Sequence, residues 1–556
     1  MTNPESIKDK LKSLLDSSLP KTETNPSEIY YNEAQTHAIN MIVSGKSCVI
    51  TGAAGTGKTT IIEGAIRRKM QALAIKQLKE SNHKWLHTGM YATAFVSFTN
   101  KAVQNLKKAL SNELQNNCIT LHKLLEFAPV IYEEFDSATG KSIRKMEFKP
   151  GRNKHKTLPH LDLIVIDECT MVGIDLWNLL ADAISTTDCP QVVLVGDIHQ
   201  LPPVFGKSIF IHAMQARAET VELTEVYRQA MNSPIISLAH RIKSGKQIPP
   251  PELQEFTKQT PHGNVTIRPW KMKLTDYQAV KQIQKFLCGL IDSGEYDPEQ
   301  DMILTPFNKS FGTVAMNQAI AGHLAKKEIS PEKKEIWEIY AGIKKVYFRI
   351  GDRVLYKKAE AQIIKIERNY AYYGKLPRIP SSTMDYAGVE SDAEKRMFSA
   401  NSQDSEYDVD FMLEHMSAHY DEDEKVAREA SHKITLYLPD TESEIEVTSS
   451  GDINSMELGY ALTVHKSQGS EYNKVFFITH GSQSIMLFRE LLYTAVTRAK
   501  NDLYIICEPN MFVKGITSQR IPGNTLEEKL ENFDRNMQLS KSKSAELPQR
   551  VDLILK

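Results

Sequence analysis

The chain has 556 residues, 41% of them hydrophobic and 25% charged, with a formal net charge of −1. That length is too great for one core, and the composition excludes a disordered, collagen-like or disulfide-rich chain. A balance so near neutrality excludes a generally basic polyanion binder, so any nucleic-acid site must be a local concentration of Lys and Arg.

Residues 1–29 are polar, with one short helical pattern (IKDKLKSLL), and read as an N-terminal extension without an apolar signal core. From 30 to 228 strand, turn and helix alternate. SCVITG is a strand, TTIIEGAIRRKMQALAIKQL a helix, ATAFVSF a strand and KAVQNLKKALSNEL a helix. LDLIVID and QVVLVGD are further strands, each ending in an acid. Such alternation predicts an α/β fold with a parallel, doubly wound sheet that gathers ligands at its strand C-termini. An insertion at about 126–158 interrupts it: residues 131–148 form two strand-like halves around SATG, the pattern of a β-hairpin. Between Lys141 and Lys156 there are seven Lys or Arg against one acid, Glu147; taken alone, the stretch reads equally as a solvated charged loop.

A second alternating region spans 229–355 and resumes over 456–510. Between its halves, 356–455 is strand-like at both ends (GDRVLYKKA, KITLYLPDTESEIEVTS) and reads as a β-rich insertion. Its segment 401–424 carries nine acids and no Lys or Arg, which predicts a solvated or disordered loop. Residues 511–556 read as a charged, partly helical tail. The six cysteines include no Cys-x-x-Cys pair, and no apolar run reaches the ~20 residues of a membrane span. A soluble cytoplasmic protein with reduced thiols is expected.

GAAGTGKT lies between an apolar strand and a helix, the context that a phosphate-binding loop requires. Over Gly52, Ala53, Ala54, Gly55, Thr56, Gly57, Lys58, Thr59 and Thr60, backbone N–H groups and a helix N-terminus would cradle the phosphates of ATP. Lys58 would reach the β- and γ-phosphates, and the Thr59 hydroxyl would ligate Mg²⁺. LIVIDECT ends a buried strand in two carboxylates: Asp167 is placed to hold Mg²⁺ and Glu168 to activate the attacking water. In VVLVGDIHQLPPV, Gln200 falls where it would sense the γ-phosphate.

GDxxQLPPV, with LTEVYRQ (223–229), VHKSQGSEY (464–472) and LLYTAVTRAK (491–500), resembles the RecD-like superfamily 1B DNA helicases, including the phage Dda type. The blocks match in order over most of the chain. The resemblance implies two RecA-like parallel-sheet P-loop domains, a β-hairpin pin in the first and an SH3-like insertion in the second. By it, Gln35 looks like the adenine-reading glutamine, and Arg228 and Arg498 look like the arginines that reach the γ-phosphate from either side of the cleft. Gly469 and Glu471 resemble a nucleotide-facing block. Thr99 and Asn100, Thr120 and His122, Thr305 and Asn308, and Thr463, His465 and Lys466 match blocks that contact the DNA strand. Pro129 matches a proline leading into the pin, where Phe135 or Phe148 would stack on the last base pair.

The resemblance implies an ATP-dependent DNA helicase that moves 5′→3′ on single-stranded DNA and opens forked duplexes as a monomer. Single-strand-binding, replication or recombination proteins would be its partners. A superfamily 1 RNA helicase or remodelling ATPase is the alternative, and a non-translocating P-loop switch a third reading that the paired arginines oppose.

Overall fold

Asn32 opens the first described helix. Its side chain accepts the Gln35 N–H at 2.8 Å while the Gln35 amide oxygen accepts the Asn32 N–H, a reciprocal capping box that starts α1 (Glu33–Val43). The computed structural model describes residues 30–79, 93–136, 141–203, 207–216, 218–225, 232–246, 256–269, 276–308, 312–341, 344–357, 359–373, 418–420, 429–439, 443–532 and 551–555. The N-terminal extension and most of the acidic segment lie outside them.

Next come β1 (Cys48–Gly52), α2 (Lys58–Lys79), β2 (Thr93–Ser97), α3 (Asn100–Ala109) and β3 (Cys118–Thr120). The hairpin β4 (Ala128–Asp136) and β5 (Lys141–Lys149) follows, then β6 (Leu163–Asp167), α4 (Ile174–Ala183), β7 (Gln191–Gly196) and β8 (Thr220–Leu223). Six of these strands form one parallel sheet in the order β3-β2-β6-β7-β1-β8. Helices cover both faces, so the strands are apolar throughout rather than alternating. In β6, Leu163 and Val165 enter the core beneath α1 and α2, while Ile164 and Ile166 enter the opposite core around Trp177.

α5 (Pro234–Lys243), β9 (Phe256–Thr260), β10 (Gly263–Pro269), α6 (Asp276–Asp292), β11 (Met302–Thr305) and α7 (Thr313–Lys327) start the second region. A run of short strands then intervenes: β12 (Trp337–Ala341), β13 (Lys344–Phe348), β14 (Arg353–Tyr356), β15 (Ala359–Arg368), β16 (Ala418–Tyr420), β17 (Glu429–Leu438), β18 (Ser443–Ser449) and β19 (Glu457–Leu458). β20 (Ala461–Thr463), β21 (Tyr472–Ile478), α8 (Arg489–Val496) and β22 (Ala499–Cys507) complete a second sheet, ordered β20-β11-β21-β22-β10-β9 and parallel except at its β9 edge. Its two faces bury alternate residues of β21, Val475 and Phe477 on one side and Phe476 and Ile478 on the other. The expected α/β class with two RecA-like parallel sheets is therefore present.

The intervening strands form a five-stranded sheet, β18-β17-β15-β14-β19, antiparallel at every pairing. The β12–β13 hairpin packs on it through Ile339, Ala341 and Phe348, so this β-rich unit starts ahead of residue 356. β16 stands apart. It pairs antiparallel with β5 (Tyr420 opposite Arg144), adding a third strand to the hairpin of the first domain. Three residues of the acidic segment, expected to be loop, are thus strand.

The C-terminal residues also fold onto the domains. α9 (Pro509–Thr517) buries Phe512 and Ile516 in the second core, and α10 (Val551–Leu555) buries Val551, Ile554 and Leu555 in the first. No helix among the described residues is long and apolar enough to cross a membrane.

Candidate active site

The phosphate loop joins β1 to α2, and its backbone requires glycine at defined points. Gly55 (φ +81°) and Gly57 (φ +80°) take left-handed conformations that side chains disfavour. A Cβ on Gly52 would stand 2.5 Å from the Thr56 hydroxyl and 2.9 Å from the Leu223 Cβ. Lys58 folds back over the loop, its ammonium donating to the carbonyls of Gly52 (2.8 Å) and Ala53 (3.3 Å). Thr56 closes the turn onto the Ala53 carbonyl at 2.8 Å, and the Gln35 amide donates to the Thr56 carbonyl at 2.9 Å. Gln35, fully buried, thereby ties α1 to the loop. Thr59 and Thr60 are half-buried at the start of α2.

The strand between β6 and β1 is β7, so the loop, Asp167 and the turn after β7 share one edge of the sheet. Burial and the neighbouring Glu168 push the Asp167 carboxyl up to about 7, against the pull of the nearby Lys58 ammonium. Glu168 is left-handed (φ +51°), a strained conformation for a side-chain-bearing residue, and its Oε2 is buried without a hydrogen-bond partner. Gln200 is 6% exposed, and its Oε1 likewise lacks a partner. Two orphaned oxygens beside a raised acid are what a site that completes itself around a ligand would present. No group of three His, Cys, Asp or Glu among the described residues could hold a metal alone. Thr59 and Asp167 offer a hydroxyl and a carboxylate, oxygen donors of the kind that Mg²⁺ takes alongside phosphate and water.

The second sheet closes over this edge through α8. The Tyr493 hydroxyl accepts the Ala54 N–H at 2.8 Å, the Thr494 hydroxyl accepts the Leu201 N–H at 3.0 Å, and the Gln468 amide donates to the Leu201 carbonyl at 3.0 Å. Arg498 is 4% exposed and bonded within its own domain, to the carbonyls of Thr494 (3.1 Å) and Ser470 (3.0 Å) and the Thr497 hydroxyl (3.2 Å). Gly469 (φ +76°) lies against Thr99 and Ala102 rather than beside the loop glycines, and Glu471 pairs with Lys500 at 3.2 Å on the surface. Arg228 lies outside the described residues.

The strand-contacting candidates occupy matched places in the two sheets. β2 and β3 are neighbours, with Ser97 opposite Thr120; β11 and β20 are neighbours, with Thr305 opposite Thr463. Thr99 caps α3 through the Ala102 N–H (3.1 Å), and Thr120 receives the Lys123 N–H (3.1 Å). Asn100 reaches the Lys357 carbonyl of the β-rich unit at 3.5 Å. His122 stands edge-on between the rings of Phe98 and Phe127. In the second sheet, Thr305 is fully buried and accepts from the Gln483 amide, so its side chain does not face solvent. The Asn308 side chain accepts from the Thr313 hydroxyl (3.0 Å), and Thr463 accepts the Lys466 N–H (3.2 Å). Burial pushes the half-buried His465 imidazole down to about 4, so it is neutral at pH 7. Lys466 is held by both carboxylate oxygens of Glu457, at 2.9 and 2.8 Å.

In the hairpin, Pro129 pairs with Phe148 near the base and Phe135 with Ser142 one step from the tip. Of the basic residues after it, Arg152 and Lys156 are both engaged by Glu126, at 2.5 and 2.8 Å. Tyr493, Thr494 and Asp197 all stand inside the sequence blocks that carry the helicase resemblance, yet no motif gives them a role, and only their contacts across the cleft single them out.

A parallel sheet with a glycine-dependent phosphate loop, two carboxylates at the next strand end but one, and a second RecA-like sheet touching that loop define a P-loop NTPase of two-domain type. Residues 30–268 match the AAA domain family and residues 458–506 the UvrD-like helicase C-terminal domain. The ATP-dependent RecD2 DNA helicase of Deinococcus radiodurans is 24% identical over 89% of this chain and 51% of its own length. An uncharacterized protein of Methanocaldococcus jannaschii is 23% identical over 92% of this chain and 40% of its own. The chain thus spans about half the length of these curated relatives. Among solved structures, a Bacteroides Pif1 helicase in complex with ADP-AlF3 and ssDNA is similar over 94% of this chain and 100% of that one, at 16% identity and a TM-score of 0.41. The chain is similar to RecD-type DNA helicases over most of its length.

Proposed function

We propose that the protein is an ATP-dependent DNA helicase that translocates 5′→3′ on single-stranded DNA and opens forked duplexes. The observation that carries this reading is the 2.8 Å contact between the phosphate loop and α8 of the far sheet, which makes nucleotide state a matter of domain placement. Matched strand pairs, one per sheet, ending in Ser97 and Thr120 and in Thr305 and Thr463, support two grips on a phosphate backbone by the loops that follow them, without reading bases. Alternating these grips as the cleft opens and closes moves the strand.

In the chemical step, Lys58 exchanges the Gly52 and Ala53 carbonyls for β- and γ-phosphate oxygens. Thr59 and Asp167 would hold Mg²⁺, which when bound offsets the negative charge of the phosphates. The free Glu168 Oε2 takes a proton from the attacking water, and Gln200 orients that water through its unpartnered amide oxygen. Arg228 and Arg498 stabilise charge on the transferring oxygens; for Arg498 this means leaving the Ser470 carbonyl. Gln35 braces the phosphate loop through the Thr56 carbonyl. The hairpin β4–β5 acts as the pin, with Phe135 as the aromatic residue nearer its tip.

We assign residues 30–228 to the first motor domain and 229–336 with 459–510 to the second, with the β-rich unit between them. The protein acts as a monomer in a reducing compartment, a placement supported by its six unpaired cysteines. The test is unwinding of forked duplexes carrying a single 5′ or a single 3′ tail, with Lys58→Ala as the inactive control. Opening from the 5′ tail with ATP is expected; opening from the 3′ tail alone sinks the polarity, and stimulation of ATPase by RNA but not DNA makes it an RNA motor.

A further inference from the structure

Tyr493 sits within the second sheet's core, 1% exposed, yet both hydrogen bonds of its hydroxyl go to the first domain. It accepts the Ala54 N–H at 2.8 Å and donates to Asp197 Oδ2 at 2.7 Å. Asp197 shapes the turn that follows β7: its Oδ1 accepts the His199 N–H (3.0 Å), and its carbonyl accepts the Gln200 N–H (3.0 Å). One phenol from the far domain therefore joins the phosphate loop to the turn that presents Gln200.

The chemistry allows only this polarity. A backbone N–H can only donate and an ionised carboxylate can only accept, so the residue between them must do both. Burial and Asp197 hold the phenol's pKa well above its usual value, which keeps that proton in place. Ala54 belongs to the loop whose N–H groups cradle phosphates, so a γ-phosphate oxygen competes with the phenol for the same donor. The contact is strong with one occupancy of the loop and weak with the other. The same helix carries Thr494, which docks on Leu201 without touching the loop.

We propose that Tyr493 is a positioning residue that reports occupancy of the phosphate loop to the second domain, through the exchange of its bond to Ala54 while it stays anchored on Asp197. The proposal rests on the helicase reading, because a motor needs nucleotide state transmitted to its second strand-holding sheet. Two sites linked this way have a coupling free energy that appears as a change in one ligand's affinity when the other is bound.

The test measures affinity for a labelled oligo-dT by anisotropy, with no nucleotide, with ADP and with a non-hydrolysable ATP analogue, using wild type, Tyr493→Phe and Thr494→Val. The ratio of affinities between the ADP and analogue states should fall about fivefold in Tyr493→Phe, the effect of the one neutral hydrogen bond to Ala54 that changes with occupancy. Thr494→Val should keep the wild-type ratio, and Tyr493→Phe, which leaves the buried Asp197 Oδ2 without its donor, should have a lowered thermal midpoint while still binding oligo-dT in every nucleotide state. An unchanged ratio in Tyr493→Phe overturns the proposal. Wild type that binds oligo-dT with no nucleotide dependence overturns the proposal alone, whereas wild type that binds no oligo-dT overturns the helicase reading as well. If Tyr493→Phe does not fold, Asp197→Asn decides: it removes the charge from the anchor and should reduce the ratio about threefold, and an unaltered ratio refutes the role.

Discussion

Replacing Lys529 by methionine should release the C-terminal segment from α8. Lys529 Nζ lies 3.2 Å from Glu490 Oε1, with both side chains 2% exposed, and it also donates to the Ile521 carbonyl at 3.2 Å. The substitution leaves the Glu490 carboxylate buried with the Arg520 N–H, at 3.2 Å, as its remaining partner. Breaking a buried pair from one side costs about 3–5 kcal/mol, most of it the unpaired charge. The segment is also held by Arg489, which donates to Asn524 Oδ1 (2.5 Å) and to the Ile516 carbonyl (2.7 Å), and by Ile521, Leu526 and Leu530 on the first domain's core. Because it leaves α8 and packs on the other domain, its release should loosen both at once. A two-domain chain need not unfold in one step, so the assay is local: hydrogen exchange over residues 519–532. Protection should fall by at least ~100-fold in Lys529→Met and return to within about tenfold of wild type when Glu490→Gln is added, because the stranded charge is then gone. Equal protection in Lys529→Met and wild type would refute the assignment of that cost. So would a double variant as poorly protected as the single one.

Removing residues 136–147 should impair strand separation while leaving ATPase stimulation by single-stranded DNA near wild type, and Phe135→Ala should slow unwinding more than Phe148→Ala; equal loss of ATPase and unwinding would remove the pin. Burial, with a smaller contribution from Arg368, pushes the His432 imidazole in the β-rich unit down to about 4. Its unfolded pKa is ~6.5, so its neutral form stabilises the fold above that value, and this is lost as pH falls through 4, by ~3 kcal/mol at most. Protection factors over β17, corrected for the intrinsic exchange rate, should therefore fall between pH 6.5 and 4, and His432→Phe, which keeps a ring against Trp337, should flatten the dependence.

The strand ends were legible because their chemistry is local. A buried parallel strand must be apolar on both faces, so LIVID and QVVLVG announce themselves, and the residues just beyond each strand are forced to the same edge of the sheet. Gly55 and Gly57 are legible for the same reason, since their backbone angles admit little else. Contacts made across the cleft are different. Tyr493 is one aromatic in an apolar helix, and its hydroxyl has a purpose only because Ala54 and Asp197, 439 and 296 residues away in sequence, face it. The tail 511–556 reads as charged and partly helical because Lys529 and Glu490 look like ordinary surface charges until both are seen to be buried. The same logic hid β16: its residues join a hairpin that lies in another domain, and no period within the acidic segment encodes that pairing. Local pattern specifies the two sheets and the strand ends at which ligands gather. How the sheets are joined lies in α8, which presents Arg489 and Glu490 to the C-terminal segment, Tyr493 and Thr494 to the first domain, and ends just before Arg498. The phosphate loop, the turn after β7 and the C-terminal segment therefore converge on one two-turn helix, and substitutions on its successive faces should separate the three.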